Sequence, residues 1–323
     1  MWSDGLDGQT LRIAGSSSRI LKIVAGPGTG KTFSLMRRVA RLIEEGADPR
    51  RILLCTFTRT AALDLERSLN ALGTPNSEQV RAGTLHSLCF GILGSSAFFE
   101  TTDRTPRPLM QFEQRFLVED LTGAPVGGVR NVEKRLKAFD AAWARLQHEE
   151  PGWPVDELDR AFSNRLEAWL RFHNAILIGE LVARTLTFVR ANPLSLDVPV
   201  FEHVVIDEYQ DLNKAEQELV SAFAANASLT IVGDEDQSIY SFKHAHPEGM
   251  SEFAIRHPGA VEEQLIECRR CPECIIRAAN TLISNNPTRQ NRVLVPLDGA
   301  AQGTIRLLQW PSSSMRRAAS RRF

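Results

Sequence analysis

The stretch Ala25-Gly26-Pro27-Gly28-Thr29-Gly30-Lys31-Thr32 constrains this chain more than any other. An apolar run, Ile20 to Val24, precedes it, and a segment with helical periodicity follows. Strand, glycine-rich turn and helix, in that order, form the setting of a phosphate-binding loop. Glycines let backbone amides wrap an anion, and the helix N-terminus adds positive potential. Lys31 is placed to reach β- and γ-phosphates, and the Thr32 hydroxyl to hold Mg²⁺. The strict pattern begins with Gly, whereas Ala25 stands here.

At 323 residues the chain has room for two domains and a sizeable core. Its net charge of −1 gives no global basic field, so any nucleic-acid contact must be a local patch. No run of apolar residues is long enough for a membrane span, and Met1-Trp2-Ser3-Asp4 lacks the features of a signal peptide. The five cysteines are an odd number, which suits reduced thiols in the cytoplasm better than a disulfide framework.

Leu35, Met36, Val39, Leu42 and Ile43 share one helical face, ended by Gly46 and Pro49. Arg51 to Phe57 reads as a buried strand, Ala61 to Leu72 as a helix and Val80 to Gly83 as a short strand. This alternation predicts an α/β fold with a parallel sheet covered by helices. From about Leu109 to Asn192 strand signals vanish. Val132, Leu136, Phe139, Trp143 and Leu146 form an apolar helical seam. Val155 to Ala175 and Leu177 to Arg190 continue it beyond Trp153-Pro154. An all-helical insertion is the expectation; more helices on the same sheet is the alternative. Alternation returns with a strand at His203 to Asp207, a helix at Glu216 to Ala225 and a strand at Leu229 to Gly233. A helix over Cys274 to Ser284 places Ile275, Ile276, Ala279, Leu282 and Ile283 on one face. The segment from Gln309 to Phe323 reads as a loose basic tail.

Two strand ends carry acids. Val204-Val205-Ile206-Asp207-Glu208 offers Asp207 to hold Mg²⁺ and Glu208 to orient the attacking water. Alone, an acid pair at a strand end is often a solvated turn; the phosphate loop upstream favours the chemical role. Ile231-Val232-Gly233-Asp234-Glu235-Asp236-Gln237 ends another strand, and Gln237 is suited to hydrogen bond a γ-phosphate or the attacking water.

Asp207-Glu208-Tyr209-Gln210-Asp211-Leu212-Asn213 and Val232-Gly233-Asp234-Glu235-Asp236-Gln237-Ser238-Ile239-Tyr240 together resemble motifs II and III of the UvrD/Rep/PcrA-type superfamily 1A DNA helicases. Ala25 to Thr32 is similar to that family's own motif I, which begins with Ala. Thr56-Phe57-Thr58-Arg59-Thr60-Ala61-Ala62 resembles motif Ia, and Gly83-Thr84-Leu85-His86-Ser87 resembles motif Ib. Leu265-Ile266-Glu267-Cys268-Arg269-Arg270-Cys271 resembles motif IV, and the resemblance covers about residues 1–297.

The resemblance implies a RecA-like P-loop NTPase sheet with a 1B-like helical insertion. Residues 1–95 and 200–262 would form the ATP-binding domain (1A) and 96–199 the insertion (1B). Residues 263–308 would start a second RecA-like domain (2A), followed by the tail 309–323. It implies ATP and Mg²⁺ as cofactors. Gln9 matches the adenine-reading glutamine, and Arg270 the arginine that contacts the γ-phosphate. Arg269 stands where the family has a base-stacking Tyr, and a guanidinium plane can also stack. Phe57 and Phe242 match aromatics that stack on single-stranded bases, and His86 would contact the backbone nearby. Thr58, Tyr240 and Lys243 complete that strand-contacting set, with Lys243 in place of Arg.

Motifs V and VI are not found after Leu297. The expectation is an ATP-dependent 3′→5′ DNA helicase or translocase that acts on single-stranded or partly duplex DNA, present mainly as its first motor half: a fragment, a shortened gene product, or a subunit to which a partner protein supplies the second half. DNA repair is one of the settings it implies, and no membrane is involved. The alternative is an ATP- and DNA-binding module without unwinding activity, with a small-molecule P-loop kinase as a third reading. Cys268, Cys271 and Cys274 resemble part of an iron–sulfur pattern, but a fourth ligand is missing and packing explains them better.

Overall fold

The computed structural model describes residues 1–102, 104, 107–238, 244–286 and 293–306. The positions expected to contact DNA at Tyr240, Phe242 and Lys243, and the expected tail 309–323, lie outside them. Two compact units emerge: Met1–Ala25 with Gly30–Leu265, and Gly26–Thr29 with the described residues from Ile266 onward.

The first unit opens with α1 (Gly8–Gly15), β1 (Ile20–Ala25), α2 (Lys31–Glu44), β2 (Ile52–Cys55), α3 (Arg59–Asn70), β3 (Arg81–Gly83) and α4 (Leu85–Leu93). The helical stretch follows as α5 (Ser96–Thr102), α6 (Gln111–Leu121), α7 (Val129–Ala144), α8 (Glu157–Phe172) and α9 (Ile178–Ala191). Alternation resumes with β4 (His203–Ile206), α10 (Lys214–Phe223), β5 (Ser228–Gly233), α11 (Glu248–Ser251), α12 (Phe253–Arg256) and β6 (Val261–Leu265).

Six strands form one sheet in the order β3-β2-β4-β5-β1-β6, every pairing parallel. Parallel strands buried on both faces read as continuous apolar runs, which is why the sequence revealed them. The period of two sorts their side chains. Leu53, Cys55, Val204, Ile206, Leu229 and Ile231 join one core with α4, α9 and α10. Ile52, Leu54, Val205, Leu21 and Ile23 join the other with α1, α2 and α3. Because all strands run the same way, their C-terminal tips line one edge, where open α/β sheets bind ligands.

The helical stretch owns a third core built from Leu117, Val132, Phe139, Trp143, Phe162 and Leu166, among others. The expected seam holds in α7, with two adjustments. Leu136 is only partly buried, and Leu146 lies past the helix end in a left-handed turn, φ 60°. Helix α9 serves two cores: Leu181, Val182, Leu186 and Val189 face the sheet's, while Ala183 belongs to the helical one.

Two buried cations stitch the sheet. Lys22, central in β1, pairs with Glu262 of β6 at 2.8 Å. Arg38 of α2 donates to the carbonyls of Ile13, Ser16 and Ser18 and to Thr230 Oγ1. Strand β6 is the element sequence reading missed. It carries the first unit to Leu265, past the boundary expected at 262/263. The strand expected to reach Phe57 stops at Cys55.

The second unit contains β7 (Glu267–Cys268), α13 (Glu273–Ile283) and β8 (Val295–Pro296), with β7 and β8 paired in parallel. The apolar face expected for α13 is narrower than predicted: Ile276 is buried, whereas Ile275 and Leu282 are exposed.

Candidate functional site

The loop after β1 needs backbone that only glycine adopts cheaply. Gly28 has φ 72° and Gly30 φ 87°, and Gly30 is the residue on which α2 starts. Thr29 is buried and its hydroxyl donates to the Gly26 carbonyl at 2.8 Å, closing the turn. Helix α1 packs beside the start of α2: a Cβ on Gly30 would meet Thr10 at 3.9 Å, next to the half-buried Gln9. Thr32 opens the first turn of α2 and is exposed. Within the second unit, the Arg269 N–H donates to the Gly28 carbonyl at 2.8 Å. A Cβ on Gly28 would come 2.8 Å from the Arg270 Cβ, and one on Gly26 would strike Leu294. The Arg269 guanidinium pairs with Glu267 at 3.2 Å.

Lys31 Nζ donates to both carboxylate oxygens of Glu208 at 3.0 Å. Glu208 sits at φ 53°, a left-handed conformation rare for a side-chain-bearing residue and frequent at functional sites. Its N–H donates to Asp207 Oδ1 at 3.0 Å. Asp207 is buried, and burial together with the Glu208 charge pushes its carboxyl from 3.8 up to about 6. The Asp207 N–H is itself tied to the Cys55 carbonyl at 2.8 Å, which fixes the tip of β4 against that of β2.

One side chain joins the two acidic tips. Gln210, buried, donates through Nε2 to Glu208 Oε2 at 2.8 Å. Its Oε1 accepts the Asp234 N–H at 3.0 Å. Asp234 Oδ2 then accepts from Gln237 Nε2 at 2.6 Å. A continuous chain therefore runs Lys31–Glu208–Gln210–Asp234–Gln237 across the tips of β1, β4 and β5. Gly233 is required beside it, since a Cβ there would fall 2.5 Å from Gln210 Oε1.

A cleft of about 630 Å³ opens between the sheet tips and the helical stretch. Phe57, Arg59 and His86 line it from the sheet side, and Lys137, Asp140 and Trp143 from α7. His86 Nδ1 lies 3.4 Å from Glu216, and the Thr58 hydroxyl caps α3 by accepting the Ala61 N–H at 3.2 Å. Phe57 is partly buried against the core yet still reaches the cleft wall.

The sequence matches the family model for the UvrD/REP helicase N-terminal domain over residues 6–258. The chain belongs to the UvrD/REP helicase family. It is similar to ATP-dependent DNA helicase PcrA of Staphylococcus aureus, 28% identical over 290 residues, covering 85% of this chain and 39% of that protein. It is also similar to ATP-dependent DNA helicase UvrD1 of Mycobacterium bovis and of Mycobacterium tuberculosis, 30% identical over 326 residues, covering 93% of this chain and 42% of those proteins. The chain thus spans about two fifths of the length of these relatives.

For a member of the UvrD/REP family, the residues present fit a nucleotide with a divalent cation. Asp207 is a buried carboxylate whose charge the protein alone stabilises poorly, so a cation beside it would restore the ionised form. A carboxylate and a hydroxyl are the hard oxygen donors Mg²⁺ takes alongside phosphates and water. Among the described residues no cluster of three or more His, Cys, Asp or Glu is arranged to hold a metal, and no helix is long and apolar enough to cross a membrane. Gln210 was missed as a site residue. An amide three residues after Asp207 carries no signal without knowledge that β4 and β5 are neighbours.

Proposed function

We propose that this chain is the first motor half of an ATP-dependent 3′→5′ DNA helicase or translocase. The observation that carries the reading is the hydrogen-bonded chain from Lys31 to Gln237 through Glu208, Gln210 and Asp234. It joins a phosphate-loop lysine, an acid pair and a polar sensor.

In this reading Lys31 and the amides of 26–32 hold the β- and γ-phosphates, with Gln9 beside the adenine. Thr32 and Asp207 would hold Mg²⁺, which would supply positive charge to offset that of the triphosphate. Glu208 exchanges its ion pair with Lys31 for the attacking water and orients or deprotonates it. Gln237 hydrogen bonds the γ-phosphate or that water, and Arg269 and Arg270 serve the base and the γ-phosphate. Residues 96–199 act as the 1B insertion, and the second unit begins the 2A domain. Single-stranded DNA occupies the cleft, where Phe57 stacks on a base and His86 and Thr58 lie along the backbone. Base–aromatic stacking of this kind tolerates any sequence.

The test is ATP hydrolysis with and without single-stranded DNA, for wild type and Glu208→Gln. Stimulation by DNA in wild type and loss in the variant are expected; failure of wild type to bind nucleotide rejects the reading. Since the chain spans about two fifths of its relatives, unwinding is a separate claim. A strand-displacement assay separates a working helicase from an ATP- and DNA-binding module that depends on a partner.

A further inference from the structure

Glu216 is a buried carboxylate that the function proposed above leaves unused. It is the third residue of α10, and its Oε2 accepts the Asn213 N–H at 2.8 Å. The Asn213 side chain accepts the Glu216 N–H in return at 2.9 Å. Asn213 follows directly on the short turn Tyr209–Asp211 that leaves Glu208. This reciprocal cap starts the helix, and the helix dipole steadies the acid's charge. A glutamine would cap in the same way, so the cap alone does not call for an acid.

The second oxygen of Glu216, Oε1, lies 3.4 Å from Nδ1 of His86. His86 is the second residue of α4, fixed in place by the reciprocal cap of Thr84 and Ser87. A cation in the first turn of a helix is disfavoured by that helix's own dipole. Glu216 supplies the opposing charge from a side chain only 4% exposed, whereas that of His86 is 39% exposed and lines the cleft. The imidazole thus reaches from a dry carboxylate to the cleft wall. An anion at this range favours the charged form of an imidazole. A partner on one ring nitrogen also sets where the other nitrogen points.

We propose that Glu216 is a positioning residue for DNA: it holds His86 through Nδ1, keeps the ring cationic and turns its Nε2 edge to a strand phosphate. The consequence for DNA rests on the reading of the cleft given above.

The cleft carries other charges. Arg59 of α3, Lys137 and Asp140 of α7 and His244 line it with His86, and His244 Nε2 lies 3.9 Å from Asp140. Arg81 of β3 reaches Gly91 of α4, 3.4 Å from where a Cβ would sit. Arginine and lysine keep their charge near neutral pH, whereas a second histidine titrates there too. The test must therefore separate His86 from the His244–Asp140 pair.

The experiment uses the full chain and a fluorescein-labelled oligothymidylate. Anisotropy reads affinity over about pH 5.5–8.5 and at several salt concentrations. Proton NMR follows the His86 ring without DNA, its signal assigned by loss in His86→Gln. Wild-type affinity should be about tenfold higher on the acid side of the transition, the size of one charge-assisted contact. Glu216→Gln keeps the cap and should remain folded. It should move the ring titration and the DNA profile to lower pH by about one unit. Between the two midpoints it should reduce the slope of log affinity against log salt by about 0.7. His86→Gln should remove the transition, and adding Glu216→Gln to it should change nothing more. An unmoved ring titration in Glu216→Gln, a DNA profile identical in wild type and His86→Gln, or additive effects of the two substitutions overturns the proposal. Should Glu216→Gln not fold, Glu216→Asp, which draws the charge back by one carbon, decides on the same readouts. A ring titration that moves in a chain that binds no DNA counts against the reading of the cleft and leaves the Glu216–His86 pair standing.

Discussion

Lys31 Nζ lies 3.0 Å from each carboxylate oxygen of Glu208, so the phosphate-loop cation and the acid after Asp207 neutralise one another. In the proposed function, a triphosphate that takes Lys31 releases Glu208 at the same moment. The proposed base is thus set free by the substrate it serves.

Glu208→Gln tests that exchange. Hydrolysis should fall by about 10²–10⁴, the usual contribution of a positioned general base. Nucleotide should bind at least as tightly as in wild type, because Lys31 no longer has a carboxylate to give up. Steady-state hydrolysis and equilibrium nucleotide titration measure the two halves.

Asp207 predicts a pH dependence of stability. Its carboxyl is raised from 3.8 to about 6, so the folded state binds the proton more tightly than the unfolded state does. That stabilisation is complete below the ordinary 3.8 and is lost as pH rises through about 6. The shift corresponds to about 3 kcal/mol. Without Mg²⁺, Asp207→Asn should therefore be more stable than wild type by up to that amount at about pH 8, and no more stable at low pH. Urea unfolding at the two pH values reads the difference.

Gln210→Ala should cost about 1–3 kcal/mol, because the buried Asp234 N–H loses its acceptor. It should lower kcat for ATP and leave KM nearly unchanged, since Gln210 orients Glu208 without lying on the phosphate loop. Kinetics and thermal unfolding of one preparation report both effects.

Phe57→Ala should weaken single-stranded DNA binding by about 1–3 kcal/mol regardless of sequence, with ATP binding intact. Fluorescence anisotropy with oligonucleotides of different composition checks both statements.

Arg38→Met should be strongly destabilising. The guanidinium answers three carbonyls and Thr230, and burial lowers its pKa to about 10 without freeing it from those partners. Removing it leaves buried acceptors unpaired, a loss of about 3 kcal/mol or more. Denaturant midpoints give the figure.

Much of this fold was legible because its central strands are apolar throughout and its helices keep one greasy face. Ile20–Ala25, Ile52–Cys55, His203–Ile206 and Ser228–Gly233 announce themselves in that way. Strand β6 did not: Val-Glu-Glu-Gln-Leu is an edge strand with a polar centre in place of an apolar run, and Glu262 in it pairs with the buried Lys22. The phosphate loop and the acid pair were legible as local patterns. Gln210 was not, because its meaning depends on a neighbour in space. Thr58 is engaged as a helix cap, a role its sequence position before Arg59 also signals.

Helix α9 has a practical corollary. Anyone excising 96–199 to obtain a bare sheet would strip Leu181, Leu186 and Val189 from the layer beneath α4 and α10. The stretch is no detachable cassette: a trimmed protein must retain Ile178–Ala191 or leave a raw, water-exposed flank.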